Sequence, residues 1–192
     1  MTPATTRRKQ STSGPHLTVP VDEHRDHVAG KNTAPVTLVE YGDYECPYCG
    51  EAYPIVKQLQ TTFGDQLRFV FRNFPLTQLH PDAEFGAEVA EAAGSRGKFW
   101  EMHDFVYENQ KRLNDPAPFF EFARARLGLD GAAMQQEVAQ HRNLPRIQED
   151  FIGGVRSGVN GTPTFYLNGV RHDASYEFDV LAAAIRAASR GK

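Results

Sequence analysis

Cysteine is nearly absent from this chain: 192 residues contain only Cys46 and Cys49. That excludes a small secreted scaffold stapled by several bridges. A second Cys-x-x-Cys pair is also missing, and the seven histidines offer no His-x-x-x-His spacing. Structural zinc usually takes four ligands, so a zinc reading of the pair lacks its other half. A static disulfide would close a very small loop and remove little unfolded-state entropy. Neither sign of charge is in excess: 21 Lys and Arg against 24 Asp and Glu leave a net charge of −3, which gives no support to a nucleic-acid partner. No window approaches the ~18 apolar residues of a membrane-spanning helix, so no membrane insertion is expected. Apolar residues, by contrast, are plentiful. Forty per cent hydrophobic content with thirteen Phe is ample for the core of one domain, or of one domain carrying a large insertion.

Residues 1–15 are rich in Thr and Ser and carry Arg7-Arg8-Lys9. The polar run Gln10–His16 follows where an export signal would need an apolar core. The expectation is a disordered, solvated tail and a cytoplasmic protein.

The two cysteines stand in Tyr41-Gly42-Asp43-Tyr44-Glu45-Cys46-Pro47-Tyr48-Cys49-Gly50. Upstream, the β-branched run Val36–Val39 reads as a buried strand. Downstream, Ala52, Ile55, Val56 and Leu59 recur at helical spacing, with Phe63 one turn on and Gly64 as a stop. A strand thus delivers the pair to a helix N-terminus, with Pro47 suited to an early helical position. Free N–H groups and the positive dipole end favour an anion there, so Cys46 ionises more readily than a free thiol. Cys49, one turn further in, can attack a mixed disulfide formed at Cys46.

Leu17–Val21 reads as an edge strand, and Asp22–His27 as a charged connection. His24 and His27 could share a metal or simply lie in a solvated loop. Leu67–Phe74 alternates as a second strand, with Leu67, Phe69, Phe71 and Asn73 on one face. From His80 to Val159 the pattern is helical. Its helices are marked by Phe85, Val89 and Ala92; by Phe99, Met102, His103 and Val106; by Phe119, Phe122 and Leu127; by Met134 and Val138; and by Ile147, Phe151, Ile152 and Val155. These are core residues, His103 included. Gly153-Gly154 weakens the last helix by roughly 1 kcal/mol per glycine. Thr164–Leu167 and Val170–His172 then form a hairpin around Asn168-Gly169, and Phe178, Leu181, Ile185 and Ala188 mark a final helix.

Cys46-Pro47-Tyr48-Cys49 after a strand, Gly161-Thr162-Pro163-Thr164-Phe165 before a hairpin, and the helical block between them resemble the thioredoxin-fold disulfide oxidoreductases, and within them the DsbA-like branch. Gly97-Lys98-Phe99-Trp100-Glu101-Met102-His103 is similar to a recurring segment of that branch. The resemblance covers residues 17–190. It implies an α/β thioredoxin fold with a helical domain inserted between the βαβ half and the C-terminal ββα half. Residues 16–79 and 160–192 would be the thioredoxin-like domain, and 80–159 the insert.

The resemblance further implies that Cys46 is the nucleophile and Cys49 the resolving thiol. Pro163 would be a cis-proline facing them, where the residues alone would leave it trans. The Thr162 backbone would pair with an extended substrate peptide, and Pro47 and Tyr48 would border the same surface. Glu40, six residues before Cys46, matches a buried acid that relays a proton for Cys49, though the residues alone also allow an exposed carboxylate at a sheet end. The implied activity is thiol–disulfide exchange on cysteine-containing proteins, in the reductase or isomerase direction. It needs no metal or organic cofactor, only an electron partner such as a low-molecular-weight thiol or a thioredoxin-type protein. Similar sequences are appended to some Na+/H+ antiporters, so the alternative is a non-catalytic, redox-responsive module that regulates a transporter.

The sequence departs from the branch in its dipeptide, where Tyr48 replaces a histidine. Asp43 and Glu45 also place negative charge beside Cys46, which opposes its thiolate. Together these lead to an expected potential clearly below the ~ −120 mV of DsbA, nearer the glutaredoxin range of ~ −200 to −230 mV or lower.

Overall fold

The computed structural model describes residues 14–190. Its centre is a parallel pair, β2 (Val36–Gly42) and β3 (Leu67–Asn73), joined by helix α1 (Pro47–Phe63) and running in register from Val36 opposite Leu67 to Gly42 opposite Asn73. A short strand β1 (His27–Ala29) lies antiparallel beyond β3. On the other side, β4 (Thr164–Leu167) pairs antiparallel with β2, and β5 (Val170–His172) with β4, giving the order β1-β3-β2-β4-β5. Between β3 and β4 run α2 (Ala83–Gly94), α3 (Phe99–Glu108), α4 (Ala117–Leu127), α5 (Gly131–Ala139) and α6 (Leu144–Ser157); α7 (Phe178–Arg190) closes the chain. This is a thioredoxin-like α/β fold with a helical insertion.

Because side chains alternate along a strand, the sheet has two apolar faces. Val36, Leu38, Phe69, Phe71 and Phe165 pack with Val56 and Leu59 of α1, Val89 of α2, Met102 of α3 and Leu181 of α7. Val39, Tyr41, Val70, Phe74 and Tyr166 form the opposite core. Glu40 falls between Val39 and Tyr41, so it lies on the first face, the side of α1. Asn168 and Gly169 both have positive φ, as a two-residue type I′ hairpin requires. Asn168 also exchanges hydrogen bonds with Thr37: its amide N–H donates to the Thr37 carbonyl at 2.9 Å, and its side-chain oxygen accepts from the Thr37 N–H at 2.8 Å.

Three expectations need correction. Leu17–Val21 is not a strand; beside it lies an isolated bridge from His16 to Val170, and the Leu17 N–H donates to the Gly169 carbonyl at 2.8 Å. The carbonyls of Val19 and Pro20 instead accept hydrogen bonds from the buried Arg72 guanidinium, at 2.9 and 3.1 Å. The edge strand begins at His27, inside the stretch read as a charged connection. Asp26 there is buried and takes both Arg72 Nε and an Arg72 terminal nitrogen at 2.9 Å. His27 stacks on Phe99 and bonds Glu91 at 2.9 Å, so it does not join His24 in a metal pair.

Second, Ile152 and Val155 are exposed. The face of α6 turned inward carries Ile147, Asp150, Gly153, Gly154 and Ser157. The rings of Tyr41 and Phe74 fill that space, and at position 154 only glycine lets the helix approach them. Third, the expected tail lies outside the described residues except for Gly14 and Pro15, and Pro15 is tied to the sheet, its carbonyl accepting the Arg171 N–H at 2.9 Å. Arg7-Arg8-Lys9 is also outside the described residues.

A methyl group added at Gly154 would lie 2.7 and 2.8 Å from Phe74 ring carbons and 3.0 Å from Tyr41; at Gly153 the nearest neighbour is Val19 at 3.3 Å. Overpacking of this kind costs about 1–3 kcal/mol, which exceeds the ~1 kcal/mol that alanine gains over glycine in a helix. Gly154→Ala is therefore expected to lower the urea midpoint, and Gly153→Ala to leave it nearly unchanged or raise it. Equal midpoints for the two variants would contradict this packing.

Candidate active site

β2 ends at Gly42, and the chain must turn once before α1 can begin. Asp43 makes that turn. Its Oδ1 accepts the N–H groups of Glu45 at 2.8 Å and Cys46 at 3.1 Å, the local Asx geometry that short acidic side chains favour. Cys46 is the N-cap of α1 with extended φ and ψ, and Pro47 follows as the first helical residue. The helix N-terminus therefore opens directly behind the Cys46 sulfur. Gln110, from the turn after α3, braces the outside of this bend by donating to the carbonyls of Tyr44 at 2.9 Å and Cys46 at 2.8 Å.

Both cysteines are free thiols. Cys46 is 3% exposed and Cys49 fully buried, while Pro47 and Tyr48 stand out from the surface between them, Tyr48 at 60%. The loop before β4 closes the site from the other side. Its Thr162–Pro163 peptide bond is cis, and the Thr162 carbonyl accepts the Cys46 Sγ–H at 3.4 Å. The Thr162 hydroxyl is buried and has no hydrogen-bond partner among the described residues. Cys49 Sγ accepts the Asp43 N–H at 3.4 Å. The structure thus gathers Cys46, Cys49, Thr162 and Pro163 in one place, with Pro47 and Tyr48 on its rim and Glu40 beneath.

The electrostatics separate the two sulfurs. Cys46 is pulled down to about 5, chiefly by the hydrogen bond that Cys49 gives it. Burial opposes this, while Thr162 and the N–H groups of Cys49 and Tyr48 add to the lowering. Cys49 is pushed well above an ordinary thiol by burial, by its bond to Cys46 and by the charges of Glu40 and Cys46; only the Asp43 N–H pulls the other way. Glu40 is pushed up to about 8, first by burial and then by the Cys46 charge. One sulfur is thus set to be a thiolate at neutral pH, the other a thiol, with a carboxyl able to exchange a proton near neutrality beside them. Glu40 borders a small cavity that it shares with Lys57, His103, Asp104 and Tyr107, and Lys57 and Asp104 meet in an ion pair near the surface at 2.7 Å.

Asp43 and Glu45 are not bare charges beside Cys46, as the sequence led us to expect, but are both held by hydrogen-bond donors. The second Asp43 oxygen accepts the Leu76 N–H and bonds His80 Nδ1, both at 2.8 Å, so the whole carboxylate is engaged. Glu45 receives the Asp82 N–H. Reading Asp43 as a repelling charge alone missed its structural use as an Asx turn that holds the N–H groups of Glu45 and Cys46. Gln110 and His80 were missed outright; nothing in their local sequence ties them to the cysteines.

The thioredoxin family model matches residues 22–187. The chain belongs to the thioredoxin family. Its fold is that of DsbA-like proteins: it superimposes on oxidised BdbD from Bacillus subtilis with a TM-score of 0.80 at 22% identity, covering 93% of this chain and 98% of that one. It superimposes on Wolbachia pipientis alpha-DsbA1 with a TM-score of 0.75 at 18% identity, covering 91% and 95%. In sequence it is 50% identical over 175 residues to a Na+/H+ antiporter, NhaA 1 of Salinispora arenicola, a match covering 91% of this chain and 26% of that protein. The chain spans about a quarter of the length of the curated relatives it matches.

Glu40 gives a pH signature with a definite sign. Its folded pKa lies above the ordinary carboxylate value of 4.5, at about 8, so the native state holds this proton more tightly than the unfolded chain. The stability contributed by the protonated group is complete below about pH 4.5 and is lost as pH rises towards 8. Glu40→Gln is expected to remove that loss: its stability relative to wild type should grow across this window in urea titrations at successive pH values. A constant difference between the two proteins would show that Glu40 titrates as an ordinary carboxylate.

Proposed function

We propose that the chain catalyses thiol–disulfide exchange on cysteine-containing proteins through Cys46 and Cys49. The observation that carries this reading is the Cys46–Cys49 dithiol at the head of α1, with Cys46 hydrogen-bonded to the backbone of the loop before β4. In the reductive half, the Cys46 thiolate attacks a substrate disulfide and expels one substrate thiolate, which takes up a proton. Cys49, its proton passed to Glu40, then attacks Cys46 of the mixed disulfide, releasing the second substrate thiolate and leaving the Cys46–Cys49 disulfide. Oxidation of a substrate dithiol is the same sequence in reverse, and isomerisation ends when another substrate thiol displaces Cys46. Pro47 and Tyr48 contact the substrate at the rim, and the Thr162 backbone aligns its extended segment.

The poise supports the isomerase direction. Lowering Cys46 from 9.0 to about 5 stabilises the reduced form at pH 7 by roughly 3 kcal/mol, on the order of 60 mV in a two-electron couple. Interpolating between thioredoxin (pKa ≈ 7, ~ −270 mV) and DsbA (≈ 3.5, ~ −120 mV) gives a potential of about −180 mV. This is more oxidising than the value read from the sequence. In the cytoplasm, the compartment that reading favours, such a pair stays reduced at a glutathione poise of ~ −220 to −260 mV and works as an isomerase; a low-molecular-weight thiol or a thioredoxin-type protein resets it.

The antiporter relatives favour a second reading, a domain that adjusts a transporter according to the state of its dithiol, without turnover. Turnover on scrambled ribonuclease separates the two. The exchange reading expects many equivalents refolded per chain, none by Cys46→Ser, and substrate-linked mixed disulfides accumulating through Cys46 in Cys49→Ser. Equilibration in glutathione buffers should give about −180 mV. A folded protein that turns over no substrate and traps no mixed disulfide would leave the regulatory reading in its place.

A further inference from the structure

The dipeptide between the cysteines lacks a histidine, yet an imidazole reaches the site from elsewhere. His80 lies in the loop between β3 and α2. That loop is fixed by its own backbone, with the His80 N–H donated to the Leu76 carbonyl at 2.9 Å and its carbonyl accepting the Ala83 N–H at 3.2 Å. The ring is mostly covered, with 18% of the side chain exposed, and its Nδ1 meets Asp43 Oδ2 at 2.8 Å. Of the four hydrogen bonds to the Asp43 carboxylate, three come from backbone N–H groups, of Glu45, Cys46 and Leu76. The fourth is His80, the one side chain in the set.

This placement answers a difficulty in the site's own design. The Asp43 side chain is fully buried, hydrogen-bonded to the Cys46 N–H, and it sits beside a residue that must become an anion. Two negative charges in so dry a place disfavour one another. A backbone N–H supplies a dipole but no full charge, whereas an imidazolium supplies one. The charges facing His80 are Asp43 and Glu45 of the β2–α1 turn and Cys46 at the head of α1. Asp82, two residues on in its own loop, gives its N–H to Glu45. Burial lowers the tendency of His80 to protonate, but the Asp43 bond and charge, then the Cys46 and Glu45 charges, more than restore it, so its pKa rises above 6.5.

We propose that His80 is a positioning cation of this site: bonded to Asp43, it balances the buried carboxylate that holds the Cys46 turn, and so lets the Cys46 thiolate form beside it. The proposal deepens the exchange reading and rests on it for its catalytic meaning. It assigns the role left open by Tyr48 to a residue 34 positions from Cys46 in the sequence, on a different element.

His80→Asn separates charge from scaffold, because its amide nitrogen can still donate to Asp43. The reduced variant is titrated by thiolate absorbance near 240 nm. The Cys46 acid dissociation constant is expected to fall about three- to tenfold, and at the tenfold limit the potential drops by ~30 mV. A folded His80→Asn protein with an unchanged Cys46 titration would overturn the proposal. A second measurement needs no substitution at His80: its assigned ring resonances are titrated in reduced wild type and in Cys46→Ser. Coupling predicts a lower His80 midpoint when the sulfur is removed, by about the same factor, since linkage is reciprocal. Identical midpoints would also overturn it. Should wild type catalyse no exchange while the two titrations remain coupled, the exchange reading fails and the His80 assignment stands.

Discussion

One buried carboxylate, Asp43, joins the segments that must meet for a dithiol to be presented here. Its two oxygens hold the turn from β2 into α1 and the loop leaving β3, while its backbone N–H contacts Cys49. Hydrogen bonds to a charged group are each worth about 1.5–3 kcal/mol, and stranding the donors in a dry site adds a penalty for each. Asp43 is therefore the point at which the fold and the chemistry depend on the same atoms. The parallel β2–β3 pair sets the spacing of the two segments, and the carboxylate fixes their ends together.

Around this anchor, negative charge is allocated rather than avoided. The helix start and the Cys49 thiol direct donors at Cys46, and its pKa falls to about 5. Cys49 and Glu40 are buried on the α1 side of the sheet and both move upwards. Thiolate, thiol and carboxyl thus sit in the order that the proposed exchange requires, with attack outside and proton transfer inside. On the far face, a second buried set joins Arg72 to Asp26 and to the carbonyls of Val19 and Pro20, anchoring the N-terminal segment to the sheet. That set stabilises the scaffold without touching the sulfurs.

The sequence made the scaffold legible where periodicity and punctuation agree. Val36–Val39, the helix after Cys46 stopped at Gly64, the Asn168-Gly169 hairpin and the helical block all lie where their patterns put them. It misled where a long-range partner decides the outcome. Arg72 takes the carbonyls that would have made Leu17–Val21 a strand, and the Tyr41 and Phe74 rings turn glycines rather than Ile152 and Val155 towards the sheet. In the site, Cys-x-x-Cys and Gly-Thr-Pro-Thr were visible because their chemistry is local. The charge balance was not: the effect of Asp43 depends on Leu76 and His80, which only the fold brings to it.

The central claim is that the fold makes Cys46, and not Cys49, the thiolate at neutral pH. The most direct measurement is the rate of iodoacetamide alkylation of the reduced protein across pH 3–9, with the modified cysteine identified by peptide mass mapping. The account predicts labelling at Cys46 with an inflection near pH 5. Labelling at Cys49 first, or an inflection near the ~8.5 of a free cysteine, would contradict it.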